Sequence, residues 1–260
     1  GDWSSDVCSS DLELQSACPF QAFAELRLGA TRLEEPDAGF DRRLRGVVLH
    51  RALQGIWSQL AGQSALAALD GSARDALVDD AVSAALVAAV PPGAGEIAIA
   101  FELEREWQRQ AVTRLLARDL ERPPFTVIEI EQPRELTIGG LDLRLQADRL
   151  DRVGDELVVI DYKTGNPKAS AWRGARMEAP QLPLYAVLHP ERPTGIAFAV
   201  VGSARAQYLG VGRDAGAIPG LKAAQEFELT EDRETGFAWP VIAAHWQAWL
   251  GRLAEDFASG

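Results

Sequence analysis

The sequence predicts an α/β protein: a mixed central sheet flanked by helices, preceded by a mainly helical N-terminal region. Three observations predict it. Apolar residues recur at three- and four-residue steps between about residues 41 and 122, the period of an amphipathic helix. The texture then switches to two-residue alternation in LDLRLQADRLDR, residues 141–152, where Leu141, Leu143 and Leu145 alternate with polar residues. Finally, the apolar runs LVVIDYK, GIAFAVVG and AQYLGVG are interrupted by a helical stretch near residues 179–188.

Taken in order, the segment SACPFQAFAELRLGA (16–30) has Phe20, Phe23 and Leu26 at helical spacing. A loop through Glu34, Glu35, Pro36 and Gly39 follows. Helices are expected over about 41–60, 72–90 and 98–120, the second closed by Pro91-Pro92-Gly93 and the third by Pro123-Pro124. FTVIEIEQP (125–133) reads as the first core strand. The runs 141–152 and 157–163, joined through Val153-Gly154-Asp155-Glu156, read as a β-hairpin. A tryptophan-bearing amphipathic helix is expected over about 238–257. The organisation is one domain over 13–260: a helical region to 122, an α/β core over 123–215 and a C-terminal helical segment over 216–260.

The first twelve residues, GDWSSDVCSSDL, resemble the translation of a sequencing-adapter oligonucleotide and are expected to stand outside the fold. Without their three aspartates the formal net charge of −12 becomes −9, and Cys18 is the remaining cysteine. One cysteine offers no intramolecular disulfide, so a cytoplasmic setting is expected. No segment reads as a membrane span, because the longest apolar stretch, around residues 76–90, is broken by Asp79 and Asp80. The negative charge argues against a protein whose whole surface grips nucleic acid, but it permits a local basic groove. Arg149, Arg173, Arg176 and Lys168 are candidates for such a rim, with solvated surface charge as the plain alternative for each.

The chemistry concentrates in IDYKTG, residues 160–165. Strand alternation puts Asp161 and Lys163 on one face and Tyr162 on the other. Alone, an aspartate two residues before a lysine is usually a surface ion pair of little consequence. The hairpin changes this, because antiparallel pairing brings Asp148 beside Asp161. Two converging carboxylates repel, and one protonates unless a cation lies between them. Mg²⁺ (or Mn²⁺), which prefers oxygen ligands, resolves the repulsion. Lys163 then orients or deprotonates a water, or neutralises a transition state. His50, in RGVVLHRAL, shares a helix face with Gly46 one turn earlier, where a glycine lets another backbone approach. It reads either as a metal ligand or as a half-buried helix histidine. Gln181 and Tyr185 share a face of the later helix.

This ordered set resembles the RecB and AddB nuclease branch of the PD-(D/E)XK superfamily: Gly46 to His50, ADRLDR at 147–152, IDYKTG at 160–165, and Gln181 to Tyr185. The resemblance implies a restriction-endonuclease-like core and Mg²⁺-dependent hydrolysis of DNA within a repair or recombination protein, with a helicase subunit or helicase domain as partner. It implies His50, Asp148, Asp161 and the carbonyl of Tyr162 as metal ligands and Lys163 as the catalytic lysine. Gln181 and Tyr185 would support the site and contact DNA. Asp151 reads as a surface or hairpin residue, and Glu129 and Glu131 as weaker candidates near the site. Iron–sulfur members of this branch use one cysteine before the core and three after it. Cys18 occupies the first position and no cysteine follows, so an iron–sulfur cluster is not expected in this chain. The alternative is a domain of the same type that no longer cuts and only binds DNA or a helicase partner. Such decay usually removes a ligand or the lysine, and here those positions are intact.

Overall fold

The computed structural model describes residues 7–30, 40–89, 98–174 and 176–259. The expected loop at 34–39 and the Pro91-Pro92-Gly93 stop lie outside the described residues. The chain runs through β1 (Val7–Cys8), α1 (Ser9–Ala17), α2 (Pro19–Ala22), a π-helical turn (Phe23–Arg27), α3 (Arg42–Leu60), α4 (Gln63–Ala68), α5 (Gly71–Ala89) and α6 (Ala98–Leu120). It continues through β2 (Thr126–Ile138), β3 (Leu141–Val153), β4 (Glu156–Lys163), α7 (Gln181–Leu188), β5 (Gly195–Val201), β6 (Ala206–Gly212), β7 (Leu221–Ala223) and α8 (Trp239–Ser259).

Among the described residues these strands form one seven-stranded mixed sheet in the order β1-β3-β4-β5-β6-β7, with β2 also on β3. Gly154, with φ +57, makes the left-handed turn between β3 and β4, which pair antiparallel from Arg149 opposite Ile160 to Val153 opposite Glu156. Crossing through α7 makes β5 parallel to β4, and Asp161 pairs with Phe198. The helices thus cover both faces, and strand alternation sorts the core accordingly. Val158, Ile160 and Tyr162 pack with α3, α5 and α6, whereas Leu157 and Val159 pack with α7 and α8. On α8, Trp239, Ile242, Trp246, Trp249, Leu250 and Leu253 form the buried stripe, and the Trp246 indole donates to the Trp172 carbonyl at 2.9 Å.

Two features differ from the sequence expectation. Residues 7–12 do not stand outside the fold. β3 pairs with β4 over Arg149–Val153, and β1 pairs with β3 farther along, Val7 opposite Leu143. Val7 and Leu12 are buried in the α8-side core. Apolar side chains beside unpaired strand backbone gain both burial and hydrogen bonds by docking there. Of the apolar residues at helical spacing in 16–30, Leu26 packs against this core, whereas Phe20 and Phe23 are exposed, the chain turning through Pro19 and the π-turn and burying Ala22. The C-terminal segment also contains a strand, β7, parallel to β6.

α3 is the element that sets the site. Asp41 caps it by accepting from the Leu44 amide at 2.6 Å, and Ala61, with φ 55, ends it. Val48, Leu49, Ala52, Leu53, Ile56 and Trp57 bury its inner face. Arg45 clamps the helix to α6 through a two-pronged ion pair with the buried Glu104 and lies over the Trp107 ring. With the inner face fixed, Gly46 and His50 are held toward the ends of β3 and β4.

Candidate active site

His50 reaches across from α3 to the sheet. Its Nε2 lies 3.0 Å from the Tyr162 carbonyl oxygen, and its Nδ1 lies 3.3 Å from Asp148 Oδ1 and 3.6 Å from Glu131 Oε1. The donor atoms of His50, Glu131 and Asp148 all lie within 4.8 Å of one another. The other oxygen of Asp148 accepts from the Tyr162 amide at 2.6 Å, which locks its carboxylate to β4. Asp161 is buried next to them, but its Oδ2 faces Lys163 Nζ at 2.8 Å. Three of the expected ligands, His50, Asp148 and the Tyr162 carbonyl, therefore converge, while Asp161 is engaged by the lysine.

Electrostatics explain the arrangement. Burial pushes the Asp161 carboxyl up, the Asp148 charge pushes it further, and Lys163 and His50 oppose both, leaving it at about 7. Burial disfavours a charged His50, yet the carboxylates of Asp148 and Glu131 overcome it and raise the imidazole to about 10. Burial also opposes the Lys163 ammonium, and Asp161 more than offsets that, so its pKa lies above the ordinary value. Three carboxylates are thus balanced by a proton on His50 and the lysine. Oxygen-rich donors with one imidazole, carrying excess negative charge, suit a hard divalent cation. The residues fit such an ion, and His50, Asp148, Glu131 and the Tyr162 carbonyl are placed to hold it.

Glu131 is the member that strand periodicity undervalues. Glu129 and Glu131 are two apart and would share a face, but Glu131 has φ +47. A left-handed backbone at a non-glycine residue is strained, and such residues cluster at functional sites. It sends Glu131 to His50, while Glu129 accepts from the Tyr185 hydroxyl and pairs with Arg134 and His189. Tyr185 is buried in that second network and is not among the residues lining the cavity over His50. Gln181 is half-buried, its amide 3.5 Å from the Gln146 carbonyl.

The expected basic rim is also corrected. Arg149 is fully buried, with Arg122, Asp119, Asp151 and the Tyr208 hydroxyl, in a closed ion network between α6, β3 and β6. Its position on β3 points inward, opposite to Asp148. Asp151, expected at the surface, is buried in the same network. Arg173 pairs with Glu228, Arg176 donates to the Ser16 carbonyl, and Lys168 is exposed away from the cavity lining. The basic residues beside the site come instead from α3. An open cavity of about 560 Å³ lies over His50, Glu131 and Lys163, and Arg42, Arg43 and Arg51 line it. A helical pattern judged for its apolar face hides them.

Residues 7–259 match the family model described as the PD-(D/E)XK nuclease superfamily, and the chain belongs to that superfamily. Enzymes of this kind use divalent metal ions. No curated protein matches the chain. Among solved structures, that of SSO0001 is similar at 15% identity over 95% of this chain and 83% of that one, with a TM-score of 0.25, an overlap too loose to compare sites.

Proposed function

We propose that this protein is a metal-dependent DNA nuclease that hydrolyses phosphodiester bonds. The observation that carries the reading is the convergence of His50, Glu131, Asp148 and the Tyr162 carbonyl beside the Asp161–Lys163 pair, at the floor of an open cavity. A divalent ion bound there supplies a nucleophile from water near neutral pH and charge stabilisation on the phosphate. The chain's own residues do the rest. Asp148, fixed by the Tyr162 amide, and His50, fixed by α3, hold their donors in place. Asp161, buried beside them and paired with Lys163, would add a carboxylate oxygen to the ligand set. Lys163, an ammonium at neutral pH and only half-buried, places positive charge where the phosphate's negative charge grows. Tyr185 acts from behind, tying α7 to β2 through Glu129, two residues from Glu131, and Gln181 supports the site through the carbonyl of Gln146.

The motif order further supports a RecB/AddB-like role in DNA repair or recombination, in the cytoplasm and alongside a helicase subunit or domain. Among the described residues no helix is long and apolar enough to cross a membrane. The direct test is cleavage of end-labelled DNA with Mg²⁺, Mn²⁺ or EDTA. The reading predicts cleavage with either metal and none with EDTA. Cleavage that persists in EDTA, or DNA left intact in both metals by a folded protein, contradicts it. Binding to DNA without cleavage would mark the non-cutting alternative.

A further inference from the structure

Gly46 lies inside α3, in its second turn, where glycine costs helix stability relative to other residues. Its neighbours do not require it. A Cβ built there meets no atom within 4 Å, and the residue lines the 560 Å³ cavity one turn from His50. Gly55 on the same helix is equally open, but it does not line the cavity. On either side of Gly46 the cavity wall is basic, with the exposed residues Arg42 and Arg43 before it and Arg51 after it on α3. Arg51 keeps one nitrogen on the Ala88 carbonyl at 2.7 Å. This basic wall stands on a chain of formal net charge −12.

We propose that the cavity face of α3 is the seat of the substrate's phosphate backbone, with Gly46 as the point of closest approach and Arg42, Arg43 and Arg51 as its phosphate contacts. This rests on the nuclease reading and adds the path of the substrate strand to it. The dimensions agree. Arg43 and Arg51 are separated by about 12 Å of helix rise, the axial span of roughly three to four phosphates of one duplex strand. A strand laid along that wall passes directly over His50 and Lys163. The bare backbone at Gly46 leaves room for sugar and phosphate where a side chain would stand in the groove.

The test is binding of a fluorescein-labelled DNA oligonucleotide, single-stranded and duplex, followed by anisotropy in Ca²⁺ over a range of salt concentrations. Four proteins are compared: wild type, Arg42→Ala/Arg43→Ala, Gly46→Leu and Gly55→Leu. The paired arginine variant should weaken binding and lower the slope of log K against log salt by roughly 2 on duplex. Gly46→Leu should weaken binding by about tenfold or more, with Tm at or above wild type because leucine is the better helix former. Gly55→Leu should match its Tm gain and leave binding and cleavage unchanged. Wild-type binding that survives both the arginine and the Gly46 changes overturns the proposed path while leaving the nuclease reading intact. A wild-type protein that neither binds nor cuts DNA overturns both.

Discussion

At His50 burial opposes the imidazolium while Asp148 and Glu131 favour it, and the carboxylates win, raising the pKa to about 10. Asp161 moves the same way for a different reason: burial and then Asp148 lift it to about 7. Both groups have folded pKa values above their ordinary ones, so each contributes stability at low pH that is lost as pH rises through its folded value. For Asp161 the loss falls between about pH 4 and pH 7, and for His50 between about pH 6.5 and pH 10. A divalent ion must displace these protons to bind. At pH 6 both protons compete with it; at pH 8 only that of His50 does. The Tm gain given by saturating Mg²⁺ should therefore be larger at pH 8 than at pH 6, as measured by thermal unfolding with and without the ion. A larger gain at pH 6 would contradict the assignment of Asp161 to the site.

At the scale of elements, the sequence showed most of what places the site. The helical period over 98–120, the hairpin about Gly154 and the strand carrying Asp161 and Lys163 appear within a residue or two of their expected bounds. The reason is local: a turn glycine, a proline pair and period-two alternation each act over a few residues. What escaped was set by partners distant in the chain. Glu131 has a left-handed backbone and meets His50 while Glu129 meets Tyr185, and no local pattern announces that. Arg149 and Asp151 look like surface charges by type, yet they find Asp119 on α6 and Arg122 just beyond it. Residues 7–12 look foreign by composition, yet they dock on β3. That docking is testable. Leu12 is fully buried, so Leu12→Ala should cost about 2–5 kcal/mol, read from urea unfolding. An unchanged midpoint would contradict the docking of residues 7–12 on β3.

For the whole molecule, two cores are held to opposite faces of one sheet, and the closed network of Asp119, Arg122, Arg149, Asp151 and Tyr208 ties α6 to β3 and β6 between them. Burying four charges is costly, and removing one leaves another uncompensated. Asp151→Ala should thus destabilise the protein by about 3–5 kcal/mol, a loss measured by urea unfolding that would exceed most single surface changes. A loss under 1 kcal/mol would show that the network is solvated rather than closed. On the proposed nuclease reading, this scaffold holds Lys163 and a metal against one phosphate. The central claim is therefore tested most directly by single-turnover cleavage of labelled DNA by Lys163→Ala at saturating Mn²⁺, with Mn²⁺ binding verified by calorimetry on the same sample. The metal should still bind and the rate should fall by about a hundredfold or more; a variant that binds Mn²⁺ and cuts at the wild-type rate would contradict a catalytic role for Lys163.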